Sequence, residues 1–195
     1  AWHYRMLPEQ PLLCPIGRLD KDTSGLILVA KNKYAAQQME RQRTLHTLSR
    51  VYLALTEGHW TDQPHSGLID RPIEKIPDCF NRYRVADTGR PSSTEYEVLS
   101  EFNPENIPFS LVRLKLQTGR THQIRVHMAS LSHPLLGDSI YGHEGFLGFD
   151  RAALHSFEIT CQLPGHQDLA VFSSEMPEDF QKVIVESQKP SSGLV

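Results

Sequence analysis

The chain has 195 residues, a formal net charge of −3, 39% hydrophobic residues and 22% charged ones, proportions ordinary for a globular protein large enough to bury one sizeable core. No apolar run approaches the roughly 18 residues of a membrane-crossing helix, and the start AWHYRMLPEQ lacks the basic-then-apolar order of a secretory signal, so a cytoplasmic protein with no membrane partner is expected. Three distant cysteines, Cys14, Cys79 and Cys161, form no C-x-x-C pair, which fits a reducing compartment and argues against zinc.

The chain opens on Ala1 instead of Met, as a trimmed or processed chain would. Its first dense polar stretch is GRLDKDTSG (17–25). Asp20, Asp22, Ser24 and Gly25 match the opening of a calcium-binding EF-hand loop, but the twelfth position is Lys31. A cation there repels the ion that a bidentate glutamate should chelate. An aspartyl-phosphate loop fails too, because Pro15 and Gly17 break the segment where a buried strand should precede Asp20. A simple Asp/Ser/Gly turn stays open at this point.

LILVA (26–30) reads as a short strand buried on both faces. Asn32 then precedes a helix reaching about Arg43, with Ala35, Ala36 and Met39 on it. VYLALTE (51–57) alternates, so Val51, Leu53 and Leu55 share one face and Tyr52 takes the other. Residues 58–93, rich in Pro, Gly, Asp and Arg, read as short strands joined by long loops, and STEYEVLSEF (93–102) as a further strand. LVRLKLQ (111–117) places Val112, Leu114 and Leu116 inward, and Arg113, Lys115 and Gln117 outward.

Gly119 breaks that strand, and Thr121 is the expected N-cap of a helix with Ile124, Met128 and Leu131 on its buried face. Arg125 falls at the boundary of that face. HPLLGDSIYG follows as a structured loop, and Pro177, Glu178 and Asp179 open a last helix bearing Phe180, Val183 and Ile184. The tail, about 187–195, reads as flexible. Residues 1–195 are expected to form a single domain of α+β class, with a mixed, largely antiparallel sheet and flanking helices.

Charge is unevenly placed. No acid lies between Glu105 and Asp138, while Arg113, Lys115, Arg120 and Arg125 fall inside, and Glu40 is the one acid from Lys31 to Arg50. Basic patches on a mildly acidic chain suit a polyanion bound at one face. His122 and His127 are five apart without H-E-x-x-H, so they make no metal pair. Taken singly, Tyr52 reads as a core tyrosine and Arg125 as a surface helix arginine.

Three stretches, GRLDKDTSGLILVAKN (17–32), RVYLALTEG (50–58) and LQTGRTHQIRVHMASLSHPLLGDSIYG (116–142), together resemble the RluA-type pseudouridine synthases. RPIE…GRPSSTEYEVL and LHSFEI…FSSEMPEDF extend the resemblance over almost the whole chain. It implies a catalytic fold with a central RNA cleft. It makes Asp20 the catalytic carboxylate of the R-L-D-x-x-T-S-G motif and Arg18 the arginine that fills the place of an extruded nucleotide. It makes Tyr52 the tyrosine packed on the target base and Arg125 the basic partner of the catalytic carboxylate. Position 17 is Gly where RluA-type proteins usually carry His, and the upstream lysine-proline motif is missing.

The chemistry agrees with the residues. Turning uridine into pseudouridine needs a carboxylate, a dry pocket and a flat surface for the freed base, with no redox change. No cofactor and no metal are therefore expected. A guanidinium near a buried carboxylate keeps it ionised, and Arg does so with a bidentate fork that Lys lacks. The expected partner is structured ribosomal or transfer RNA bound by a monomer, with Arg18, Arg113, Lys115 and Arg120 as RNA-binding residues. A catalytically silent RNA-binding relative is the alternative.

Overall fold

A computed structural model describes residues 12–188. Alternation in VYLALTE resolves into the middle strand of a seven-stranded sheet, and the strands are numbered along the chain. They are β1 (Cys14–Ile16), β2 (Ser24–Gly25), β3 (Leu28–Ala30), β4 (Ser49–Glu57), β5 (Ser66–Asp70) and β6 (Ile73–Lys75). After these come β7 (Tyr83–Val85), β8 (Ser93–Phe102), β9 (Phe109–Leu116), β10 (Leu154–Gln162) and β11 (Leu169–Ser173). The sheet runs β11-β10-β4-β9-β8-β5, with β2 added in parallel to β10 and every other pairing antiparallel. The three helices are α1 (Lys33–Thr44), α2 (Gln123–Ser130) and α3 (Glu178–Ser187). The α+β class and the largely antiparallel sheet are as expected.

One face of the sheet packs Tyr52, Ala54, Tyr96, Val112 and Leu114 against Ile124 and Met128 of α2. The other packs Leu53, Leu55, Phe109 and Leu111 against Leu136, Phe149 and Phe180 of α3. Both faces of β4 are therefore dry, and each of its residues from Val51 to Thr56 is buried. A third cluster seats Met39 of α1 on Ile159 and Cys161 of β10.

Three expectations need correction. LILVA is not covered on both sides: Ile27 and Val29 are exposed and only Ala30 is buried. The reason is that β3 pairs with β1 in a two-stranded ribbon, which packs one face on the α1 cluster and leaves the other in water. The α2 helix begins after His122, in the left-handed conformation at φ 56°, and not after Thr121. The Gln123 side chain instead accepts the Arg120 amide (2.9 Å) and the Thr118 hydroxyl (2.8 Å), which fixes the turn without an N-cap hydroxyl. Pro177 is the N-cap of α3, one residue earlier than read. Asn32 does cap α1, accepting the Ala35 amide at 2.8 Å.

The opening residues AWHYRMLPEQ and the tail beyond Gln188 lie outside the described residues. No helix among the described residues is long and apolar enough to cross a membrane.

Candidate active site

The order of residues after Asp20 has a mechanical reading. Thr23 donates its amide to the Asp20 carbonyl at 3.0 Å, closing a tight turn. Ser24 Oγ meets His155 Nδ1 at 2.9 Å, and His155 Nε2 meets Ser174 Oγ at 2.7 Å. Gly25, at φ 99°, lies so close to β10 that a Cβ would collide with the Ser156 carbonyl. Only glycine fits there. Thr-Ser-Gly therefore pins the Asp20 loop to the start of the strand β10, so the turn is a built support and not a generic surface bend.

This loop forms one wall of a cleft of about 160 Å³. The start of β4 supplies Arg50 and Tyr52, and the β9–α2 connection with the first turn of α2 supplies Gly119, Arg120, His122 and Arg125. Asp20 is the one acid on this lining, among five arginines: Arg18, Arg43, Arg50, Arg120 and Arg125. Tyr52 is buried, with Arg50 and Ser156 facing its hydroxyl; burial raises its pKa, and Arg50 is the first of the groups that oppose the rise.

Asp20, Arg18, Tyr52, Arg120 and Arg125 thus come together, as the sequence led us to expect. The pairing does not. Arg125 is nearly buried and directs its fork at Asp138, with Nε at 2.7 Å and Nη2 at 2.5 Å from the two carboxylate oxygens. Asp138, fully buried, also accepts the Ile140 and Tyr141 amides at 3.0 and 3.1 Å. Burial opposes the charge on Arg125, but the hydrogen bonds and charge of Asp138 outweigh it and lift the pKa, with Asp20 adding to the field. Among the described residues Asp20 has no ion pair of its own. The expected Arg125–Asp20 pair is replaced by Arg125–Asp138, because the turn after α2 brings the closer and better-oriented carboxylate.

Asp138 escaped the sequence reading, although it ends the acid-free span and follows Gly137, whose φ of 68° marks a tight turn. Around it, Tyr141 donates to or accepts from His122 Nδ1 at 2.9 Å, accepts the Tyr83 amide at 3.0 Å, and lies under the Arg125 guanidinium at 5.2 Å. Burial drives the Tyr141 pKa up to about 12. Burial, then Arg125, holds His122 below its usual value.

Arg113 is not brought to the cleft. In register Tyr52 faces Leu114 and Leu53 faces Arg113, so Arg113 points to the sheet face opposite the Tyr52 ring. There it lies 3.8 Å from Glu97, while Lys115 lies 3.7 Å from Glu95. Lys115 also borders a second groove beside the cleft. Among the described residues no group of three or more His, Cys, Asp or Glu side chains is placed to hold a metal.

The architecture has solved counterparts among pseudouridylate synthases. Human RNA pseudouridylate synthase domain containing 1 matches with a TM-score of 0.72 at 30% identity, over 84% of this chain and 69% of that one. Human RNA pseudouridylate synthase domain containing 4 shares the fold, with a TM-score of 0.70 at 23% identity over 90% of this chain and 76% of that one. A family model described as RNA pseudouridylate synthase matches residues 5–130, and the chain belongs to that family. Its relatives support the RluA type read from the motifs. The uncharacterized RNA pseudouridine synthase YhcT of Bacillus subtilis is 38% identical over 183 residues, covering 94% of this chain and 59% of its own length. Ribosomal large subunit pseudouridine synthase D of Nitrosomonas europaea is 35% identical over 190 residues, covering 93% and 53%. The chain thus spans between half and three-fifths of the length of these two relatives.

Proposed function

We propose that the protein isomerises uridine to pseudouridine in structured RNA, with Asp20 as the reacting carboxylate. The observation that carries this reading is the cleft lining: a single acid, five arginines and a buried tyrosine converge on one small space. A polyanion binder gains nothing from a carboxylate at that point, whereas glycosidic isomerisation requires one. The N1–C1′ bond breaks, the base rotates, C5 bonds to C1′, the C5 proton leaves and N1 gains one. Every atom is conserved, and the protein supplies position and charge.

In this reading Tyr52 lies against the freed base, where stacking is worth about 1–3 kcal/mol. Arg18, exposed at the rim, fills the gap left by the flipped nucleotide, offsetting an extrusion cost of a few kcal/mol. Arg125, held by Asp138, forms a rigid cationic wall, and Arg120 and Lys115 meet RNA phosphates outside. Arg113 has no part in the cleft. The relative named for the large ribosomal subunit makes large-subunit ribosomal RNA the first substrate to test, with transfer RNA second.

The test is Asp20→Asn, which keeps the side-chain shape and removes its charge and basicity. The variant is expected to bind in-vitro-transcribed large-subunit rRNA as wild type does, while tritium release from 5-tritiated uridine falls to background. Release near the wild-type rate would remove Asp20 from the chemistry. Tight binding by wild type without release from any ribosomal or transfer RNA would favour the silent RNA-binding relative.

A further inference from the structure

Arg50 is the cleft arginine that nothing so far has used. Of the five, Arg43 pairs with Glu40, Arg125 pairs with Asp138, and Arg120 donates Nε to the Pro91 carbonyl at 3.1 Å. Arg50 has no carboxylate partner among the described residues. In the cleft it faces the Tyr52 hydroxyl.

The guanidinium is nevertheless held in place. It is half-buried between two glycines from different loops: a Cβ on Gly119 would lie 2.8 Å from Nη2, and one on Gly17, at φ 81°, would lie 3.7 Å from Nη1. Two bare backbone walls leave the charged head uncovered. It stands where the reaction cleft meets the second groove, of about 670 Å³, and lines both. Arg43, Arg120 and Lys115 follow it along that groove, with Glu95 the one acid.

A half-buried guanidinium with no carboxylate partner, flanked by glycine backbone and opening toward a basic groove, has the geometry that binds one phosphate through a fork. We propose that Arg50 holds the RNA backbone phosphate adjacent to the target nucleotide, and that the groove beyond it carries the strand away from the cleft. This rests on the pseudouridine synthase reading, and it assigns a binding role to a residue outside the reacting set.

The experiment measures binding of in-vitro-transcribed large-subunit rRNA in an Asp20→Asn background, across salt concentrations, with turnover measured separately in the Asp20 protein. Arg50→Met is expected to weaken binding about tenfold and to reduce the steepness of log K against log salt by about 0.7–0.9, the loss of one phosphate contact. Arg50→Lys should keep most of the slope and lose affinity, because the charge survives and the fork does not. Gly119→Ala tests the placement of the fork. It removes no charge, and its methyl would lie 2.8 Å from Nη2, so that end must shift: affinity should fall while the slope stays close to that of Arg50→Lys.

Unchanged affinity and slope in Arg50→Met would overturn the phosphate assignment. So would slower release with unchanged binding, which would make Arg50 a brace for Tyr52 alone. A wild-type protein that releases no tritium from any RNA would sink the functional reading itself, a result visible before any Arg50 variant is made.

Discussion

The Arg125 guanidinium is committed to Asp138 inside a nearly dry enclosure, and that commitment changes what a substitution there means. Removing one partner of a buried pair leaves the other charge uncompensated, at a cost of about 3–5 kcal/mol. Arg125→Met is therefore expected to lose stability as well as turnover. The double variant Arg125→Met/Asp138→Asn separates the two. The introduced carboxamide is neutral, and its oxygen can still accept the Ile140 and Tyr141 amides that Asp138 now binds, so the urea midpoint should recover most of the loss. Turnover should not recover, because the cationic wall of the cleft is still missing. If the double variant regains tritium release together with stability, Arg125 is a structural residue only.

That pair also marks where sequence stops being informative. Strand β8 is legible with its bounds, and β9, read as 111–117 and found at Phe109–Leu116, to within two residues, because alternation and the break at Gly119 are local properties. The meeting of Asp20, Tyr52 and Arg125 needed the family motifs, since they lie on a loop, a strand and a helix far apart in the chain. Asp138 was invisible because a buried acid and a solvated acid have the same letter. The support of the Asp20 loop is another long-range fact. Arg151 donates Nη1 to the Asp22 carbonyl at 3.1 Å and Nε to Asp179, in the first turn of α3, at 3.0 Å. The last helix is thus tied through one side chain to the loop that carries Asp20, the proposed reacting carboxylate. Arg151→Met should leave the fold intact, speed hydrogen exchange of the Thr23 amide, and slow turnover of bound RNA by up to about 100-fold, the cost that a misplacement of about 1 Å can carry. Asp179→Asn should do less, because the pair is part-exposed and such pairs are worth about 0–1 kcal/mol. Unaltered exchange at Thr23 in Arg151→Met would mean that the loop is held by Ser24, His155 and Gly25 without help from α3.

A protein of net charge −3 collects five arginines at one cleft, while some of its histidines lie inside the packed layers, and this second pattern sets its response to acid. Three of them, His122, His127 and His155, are buried with their pKa values below the ordinary 6.5. Burial is the leading cause in each, followed by Arg125 for His122 and by Arg151 for His155. For His127 the Arg71 carbonyl and Asp70 pull upward without overcoming burial. His127 is bonded on both sides, to the Thr94 hydroxyl and the Arg71 carbonyl at 2.9 Å each. A neutral ring can accept the hydroxyl proton at Nδ1 and donate from Nε2, whereas a protonated ring would turn two donors on Thr94 and Arg71. The sign follows from proton counting. Between the depressed folded pKa values and about 6.5 the unfolded chain binds more protons, so stability is complete above about 6.5 and is lost as pH falls through the folded values. Each histidine inside that window contributes a slope of at most about 1.4 kcal/mol per pH unit. The urea midpoint should therefore drop between pH 7.5 and pH 5.5, above the range where Glu74 and Glu101, both held below 4.5, begin to matter. His127→Gln, whose amide nitrogen can still reach the Arg71 carbonyl, should be less stable at pH 7.5 and show a shallower decline toward pH 5.5. A decline as steep as that of the wild type would assign the acid sensitivity to His122 and His155 alone, one lining the candidate cleft and the other bonded to Ser24 of its supporting loop.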